Sequence, residues 1–227
     1  MTRYEFLARA HEILQPKIYL EIGVQSGPSL ALAEAAEVAI GIDPFPQVLP
    51  HNQRPNQRII ASTADDYFEA ERKVRYSGVS YVPLRVDFVF IDGSHLFEDA
   101  LHDFINVERH LRNPRSVVFF DDVLPYAQAI AERIQPPGDW TGDVWKVVET
   151  LRLHRMDLEL ILIDVAPTGL LMVRQAEGWR NASDWAREDK VAEMIAAKID
   201  ITEVPAHILG RHTAMDPAAV LDLLRGE

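Results

Sequence analysis

Cysteine is absent from the 227-residue sequence. That excludes disulfide staples, thiolate nucleophiles and Cys-ligated zinc, so any metal must sit on oxygen or imidazole. Basic residues are also in short supply: 23 Lys and Arg against 35 Asp and Glu leave a formal net charge of −12 at pH 7. A polyanion binder needs clustered cations, so nucleic acid is not expected as a partner. No apolar run approaches the roughly 20 residues of a membrane span, and the stretch from Met1 to Ile13 lacks the apolar segment of a signal peptide. A cytoplasmic protein without a membrane partner is the expectation. What is present, 48% hydrophobic and 26% charged residues, is the composition of a folded globule. At about 150 residues per domain, this length suits one generous α/β domain with an appendage.

Apolar periodicity predicts a helix over residues 2–14, with Thr2 and Glu5 forming a capping box and Pro16 ending it. Strands follow at 17–23, 38–43, 58–62, 86–92 and 116–120, and helices at 63–75, 96–111 and 143–154. A further helix runs through Leu30, Leu32 and Ala36, a short one lies around 127–134, and residues 44–57 form a loop over one sheet edge. The runs 158–165 and 170–174 are separated so briefly that they must form an antiparallel hairpin. The fold class expected is therefore α/β, a Rossmann-like doubly wound sheet of about seven strands with the last one antiparallel. Residues 1–175 form its main domain, and 176–227 a helical extension with helices at 182–199 and 217–224. The extension packs on the same domain or serves a dimer interface.

Ligands of such sheets lie at the C-terminal ends of the strands, and four groups of residues stand there. Glu21, Gly23, Gly27 and Ser29 form an acidic strand end and a glycine turn leading into a helix N-terminus, where the backbone can approach a ligand closely. Their spacing is not the G-x-G-x-x-G of dinucleotide folds. Asp43 ends the second strand, where nucleoside-binding wound folds place an acid against ribose hydroxyls, and a loop-capping aspartate is the plainer alternative. Asp92, Asp121 and Asp122 end neighbouring strands, and a hard divalent cation such as Mg²⁺ would relieve their repulsion, unless one or two are helix caps. His95 stands three residues after Asp92 and is a candidate general base. No two histidines are spaced as in the H-E-x-x-H zinc motif.

With these residues in place, the chain resembles the class I S-adenosylmethionine-dependent methyltransferases over roughly residues 15–175. YLEIGVQSGPSL is similar to their first motif, AIGIDPFP to the second, and the terminal hairpin to their reversed seventh strand. VDFVFIDGSHLFEDALHDF followed by VVFFDDV resembles the metal-dependent O-methyltransferase branch, which includes macrolide-sugar and catechol-type enzymes. The resemblance implies that Glu21, Gly23, Gly27 and Ser29 meet the methionine part of the cofactor. Asp43 would meet the ribose, Ser62 and Thr63 the adenine border, and Asp92 both cofactor and metal. It further implies Mg²⁺, or another divalent cation, on Asp92, Asp121 and Asp122. His95 stands where catechol-type enzymes carry a lysine, which moves the reading towards sugar acceptors, a small sugar or an oligosaccharide. Tyr126, Trp140 and Trp145 are candidate substrate-stacking residues, the last two within a Trp-rich segment, Trp140 to Lys146.

Four other readings remain open at this stage. A metal-dependent hydrolase would use Asp92, Asp121 and Asp122 but leave the glycine turn idle. A nicotinamide oxidoreductase would do the reverse. A phenolic acceptor and a non-catalytic, dimerising role are the remaining two, and a homodimer is compatible with every one.

Overall fold

The computed structural model describes residues 1–77, 84–176 and 185–226. Seven apolar runs become strands: β1 (Ile18–Ile22), β2 (Val38–Asp43), β3 (Gln57–Ala61), β4 (Phe88–Ile91), β5 (Val117–Phe120), β6 (Leu158–Ile163) and β7 (Leu170–Gln175). They form one sheet in the order β3-β2-β1-β4-β5-β7-β6. The first five strands run parallel, and β7 is antiparallel to both β5 and β6. β4 and β5 are buried along their whole length. Both of their faces are covered, which is why neither shows the alternation of a half-solvated strand.

The helices sort onto the two faces by the two-residue period of the strands. Tyr19, Phe88, Phe90 and Phe119 point to the face covered by α1 (Arg3–Leu14) and α7 (Pro217–Arg225), where Phe6, Leu7, Val220 and Leu221 complete the core. Leu20, Val89, Ile91, Val118 and Phe120 point the other way. There they meet α2 (Ala64–Tyr76), α3 (Phe97–Glu108) and α4 (Trp145–His154) through Phe68, Leu101, Phe104, Val147 and Leu151. The capping box at Thr2 and Glu5 is formed as expected. Within the tail, α5 (Glu188–Lys198) and the short α6 (Ala206–Leu209) add Val191, Met194 and Ile208 to this second core. Among the described residues no helix is long and apolar enough to cross a membrane.

Two expectations are corrected. The segment after the glycine turn is not an α-helix but a 3₁₀ stretch, Leu30–Ala35, with Ala33 at φ −78°, ψ 35°. The Asn56 side-chain amide donates to the carbonyls of Ala33 and Ala36, at 2.9 and 2.8 Å. Those carbonyls are thereby satisfied without a further helical turn. In the tail, α5 starts at Glu188, whereas the expected start, at residues 182–184, lies outside the described residues.

Candidate functional site

The glycine turn is built by close approach. Gly23 follows β1 with φ +87°, and a β-carbon there would lie 1.9 Å from the Asp92 carbonyl oxygen, so the ends of β1 and β4 pass only because it is glycine. Gly27, at φ +81°, closes the turn with its N–H on the Val24 carbonyl at 2.8 Å. Asp43 braces the same turn. One of its oxygens accepts from the amides of Val24 and Gln25, at 2.9 and 2.8 Å, and the other from Phe45 at 2.7 Å. A carboxylate accepts about four hydrogen bonds, so one position on Asp43 is left for a ligand. The loop-brace role and the ligand role are compatible here.

Glu21 is placed differently from expectation. It is fully buried and does not line the cavity, and its two oxygens accept from Ser29 Oγ at 2.8 Å and Tyr19 Oη at 2.6 Å. Burial pushes its carboxyl up to about 7, against the lowering effect of those two hydrogen bonds. Glu21 therefore supports the turn from beneath, through Ser29, which itself reaches the cavity.

The acidic strand ends are divided by the fold. Asp92, His95 and Asp122 each turn a ligating atom into one space, all within 4.8 Å of one another. Asp121 is not in this group. Its side chain is 1% exposed, one oxygen pairs with Arg3 Nη1, and the other accepts from the Asp122 amide at 2.9 Å. The expectation that Asp121 joins Asp92 and Asp122 on one cation is thus at odds with the geometry, because the guanidinium of α1 claims it first. Arg3 Nη1 also lies 3.7 Å from Asp92 Oδ2. Burial, reinforced by the neighbouring Asp122, raises the Asp92 carboxyl well above the usual range. Burial raises Asp122 as well, and the adjacent His95 opposes it.

His95 is held in one orientation. Its Nδ1 lies 2.7 Å from the Trp140 carbonyl oxygen, and its ring stacks on the Trp140 indole at 4.7 Å between centroids. A carbonyl only accepts, so Nδ1 carries the hydrogen and the neutral ring keeps its lone pair on Nε2. That nitrogen faces Asp122 Oδ2 at 3.4 Å. The Trp-rich segment explains the rigidity. Gly142 passes so close to the His95 carbonyl that a β-carbon would sit 1.8 Å from it. Asp143 accepts from the Phe97 amide at 2.8 Å, capping α3 from a distant loop, and pairs with Lys146 at 2.7 Å and Arg133 at 2.6 Å.

These groups line one cavity of about 680 Å³, reaching from Ser62, Thr63 and Asp43 past the glycine turn to Arg3, Asp92, His95, Asp122 and Trp140. Its size is that of a small-molecule site. Trp145 is not in it. The indole is 2% exposed inside the core, so a substrate-stacking role for Trp145 is corrected, whereas Trp140 does line the cavity, as does Tyr4. Tyr126 is 53% exposed and donates to the cavity-lining Asp139 at 2.9 Å without lining it. Asp65, Asp99 and Asp103 also line the space and were missed in the sequence. Burial, with help from Asp65 and Asp99, pushes Asp103 up to about 8. The available signal was that Asp99 and Asp103, four residues apart on α3, share a helix flank.

Residues 20–123 match the family model described as a methyltransferase domain. No curated protein matches the chain. Among solved structures, an O-methyltransferase from Bacillus cereus in complex with S-adenosylhomocysteine aligns at a TM-score of 0.59 and 15% identity, over 76% of this chain and 80% of that one. Cofactor-bound Rv0187 from MTB aligns at 0.58 and 16% identity, over 78% and 82%. The O-methyltransferase TomG from Streptomyces achromogenes aligns at 0.57 and 18% identity, over 77% and 79%. At these identities the likeness is one of fold, while the family match falls on the segment that builds the cavity, from β1 to the residues after β5. Residues 20–123 are thus similar to a methyltransferase domain, and the sheet shares the fold of these methyltransferases.

Proposed function

We propose that this protein is an O-methyltransferase that moves the methyl group of S-adenosylmethionine to a hydroxyl of a small acceptor, a sugar or oligosaccharide, with assistance from a divalent cation. The observation that carries the reading is the meeting of Asp92, His95 Nε2 and Asp122 in one cavity with the glycine turn, Asp43, Ser62 and Thr63. The residues suit the cofactor: Ser62 and Thr63 border the adenine end, Asp43 keeps one acceptor position for a ribose hydroxyl, and Gly23 with Ser29 flank the methionine end. The donor, when bound, supplies an electrophilic methyl on a sulfonium.

The residues also suit a cation. The Asp92 and Asp122 carboxylates form an oxygen donor set that Mg²⁺, Mn²⁺ or a related ion accepts, with His95 Nε2 beside them. A bound cation would stabilise the charge that develops on an aliphatic hydroxyl as it loses its proton. The chain's own part is positioning and proton removal. Trp140 holds the His95 ring so that Nε2 points at the acceptor end, ready to take the hydroxyl proton. Holding acceptor and donor in one enclosed space removes their translational freedom. A hydrolase built on the same carboxylates would leave the glycine turn and Asp43 without a task.

Calorimetric titration with S-adenosylmethionine and S-adenosylhomocysteine, each with Mg²⁺ or Mn²⁺ and with EDTA, tests the cofactor site, and methyl transfer to a panel of sugars and phenols tests the acceptor. Saturable binding and transfer to sugar hydroxyls is expected. Transfer confined to phenols would replace the sugar reading, and no binding of either compound would end the proposal. His95→Ala should lower kcat by about 10²- to 10⁴-fold with S-adenosylhomocysteine affinity unchanged. If the same variant instead loses its cation, His95 is a ligand and not the base.

A further inference from the structure

Arg3 stands in the middle of the acidic strand ends, yet it belongs to the first turn of α1, far from them in sequence. Its backbone is fixed. The Arg3 amide donates to the Ala166 carbonyl at 3.0 Å, and Thr2 and Glu5 lock the helix start around it. Its side chain is 23% exposed, lines the cavity, and pairs with Asp121 while lying 3.7 Å from Asp92.

We propose that Arg3 is a resident cation of this site. Its guanidinium neutralises Asp121, withdraws it from the set of metal ligands, and weakens the affinity of the remaining Asp92 and Asp122 for a divalent ion. The inference rests on the cation-assisted reading above. A fixed positive charge within a few ångströms of a ligand carboxylate opposes a second cation, all the more where burial limits screening. Arg3 Nη1 satisfies one Asp121 oxygen with a charge-assisted hydrogen bond and the Asp122 amide satisfies the other, so a buried Asp121 held this way has no reason to turn towards the cavity. The chain thereby trades a three-carboxylate cation site for one with two carboxylates.

The test is Mn²⁺ affinity by calorimetry, which needs no turnover, on the wild-type chain and on three variants. Arg3→Gln should bind Mn²⁺ at least tenfold more tightly than wild type, including the case in which wild type shows no binding at all. Arg9→Gln removes a positive charge from the exposed side of the same helix and should leave the affinity unchanged. Because Arg3→Gln leaves the buried Asp121 uncompensated and can cost folding, Arg3→Gln/Asp121→Asn removes both charges together. This double variant should bind Mn²⁺ at least as tightly as wild type, since Asp121 is not a ligand. Equal or weaker binding by a folded Arg3→Gln, absence of binding in both it and wild type, or loss of binding in the double variant would each overturn the proposal. S-adenosylhomocysteine binding, measured in parallel, separates these outcomes from failure of the methyltransferase reading, because Arg3 can be wrong as a cation gate while the cofactor still binds.

Discussion

His11 shows how a single side chain sets a property of the whole. It is 1% exposed, with Tyr19 and Phe88 rings at 4.5 Å, and neither ring nitrogen has a hydrogen-bond partner. Burial pushes its imidazole down to about 3 from an ordinary 6.5. A base with a depressed folded pKa is bound neutral, so its full contribution is present above pH 6.5 and is lost as pH falls towards 3, because the unfolded chain takes up a proton that the folded chain refuses. His11→Leu should therefore gain stability relative to wild type as pH is lowered. Between pH 6.5 and pH 5 the gap should widen by about 1.6 kcal/mol, read from urea unfolding at each pH. An equal gap at both values would mean that the ring is solvated in the folded state. As a position, His11 was legible within the first helix, but its burial was not, because nothing in the local sequence says that this flank packs on Tyr19 and Phe88.

At the scale of elements, the loop after β4 and the segment before α4 act as one unit joined through Asp143. Its carboxylate is 2% exposed and meets the Phe97 amide, Lys146 and Arg133, and Lys146 is itself 1% exposed. Removing one partner of a buried charge pair strands the other, at a cost of about 3–5 kcal/mol. Asp143→Ala is expected to lose that much in urea unfolding and to lower methyl transfer further, because the loop that aims His95 loses its anchor. A loss under about 1 kcal/mol would show that Lys146 reaches water in the variant. The density of Trp and polar residues from Trp140 to Lys146 was visible in the sequence, but its purpose was not. Two of its members brace the His95 loop, Trp140 faces the cavity, and Trp145 fills the core, and no local pattern separates those fates.

The strands that line the cavity come from both halves of the methyltransferase segment, so a ligand that touches several strand ends should stabilise the molecule as one body. S-adenosylhomocysteine at a hundred times its Kd should add about 2.7 kcal/mol, which for a chain of this length raises Tm by about 5–10 °C. Differential scanning calorimetry would show this as a shift of the entire transition, and a shift confined to a minor early peak would place the site on a separately unfolding part.

The sequence by itself determined the seven strands, the antiparallel ending and the strand-end location of the site. Those features rest on local signals: β-branched runs, turn residues, and a connection between β6 and β7 too short for anything but a hairpin. It also put Asp92 and Asp122 among the candidates, with His95 on the loop between them, and the structure gathers these three into one space. Only the tertiary structure decided that Asp121 faces Arg3 instead of its neighbours, that Glu21 lies beneath the turn, that Trp145 is core and Trp140 is not, and that Asp103 belongs to the cavity. Each of these depends on which side chain from a distant segment arrives first at a given carboxylate or apolar surface. Pairings at that separation are set by the packing of α1, α3 and α4 on the sheet, and sequence periodicity carries no information about them.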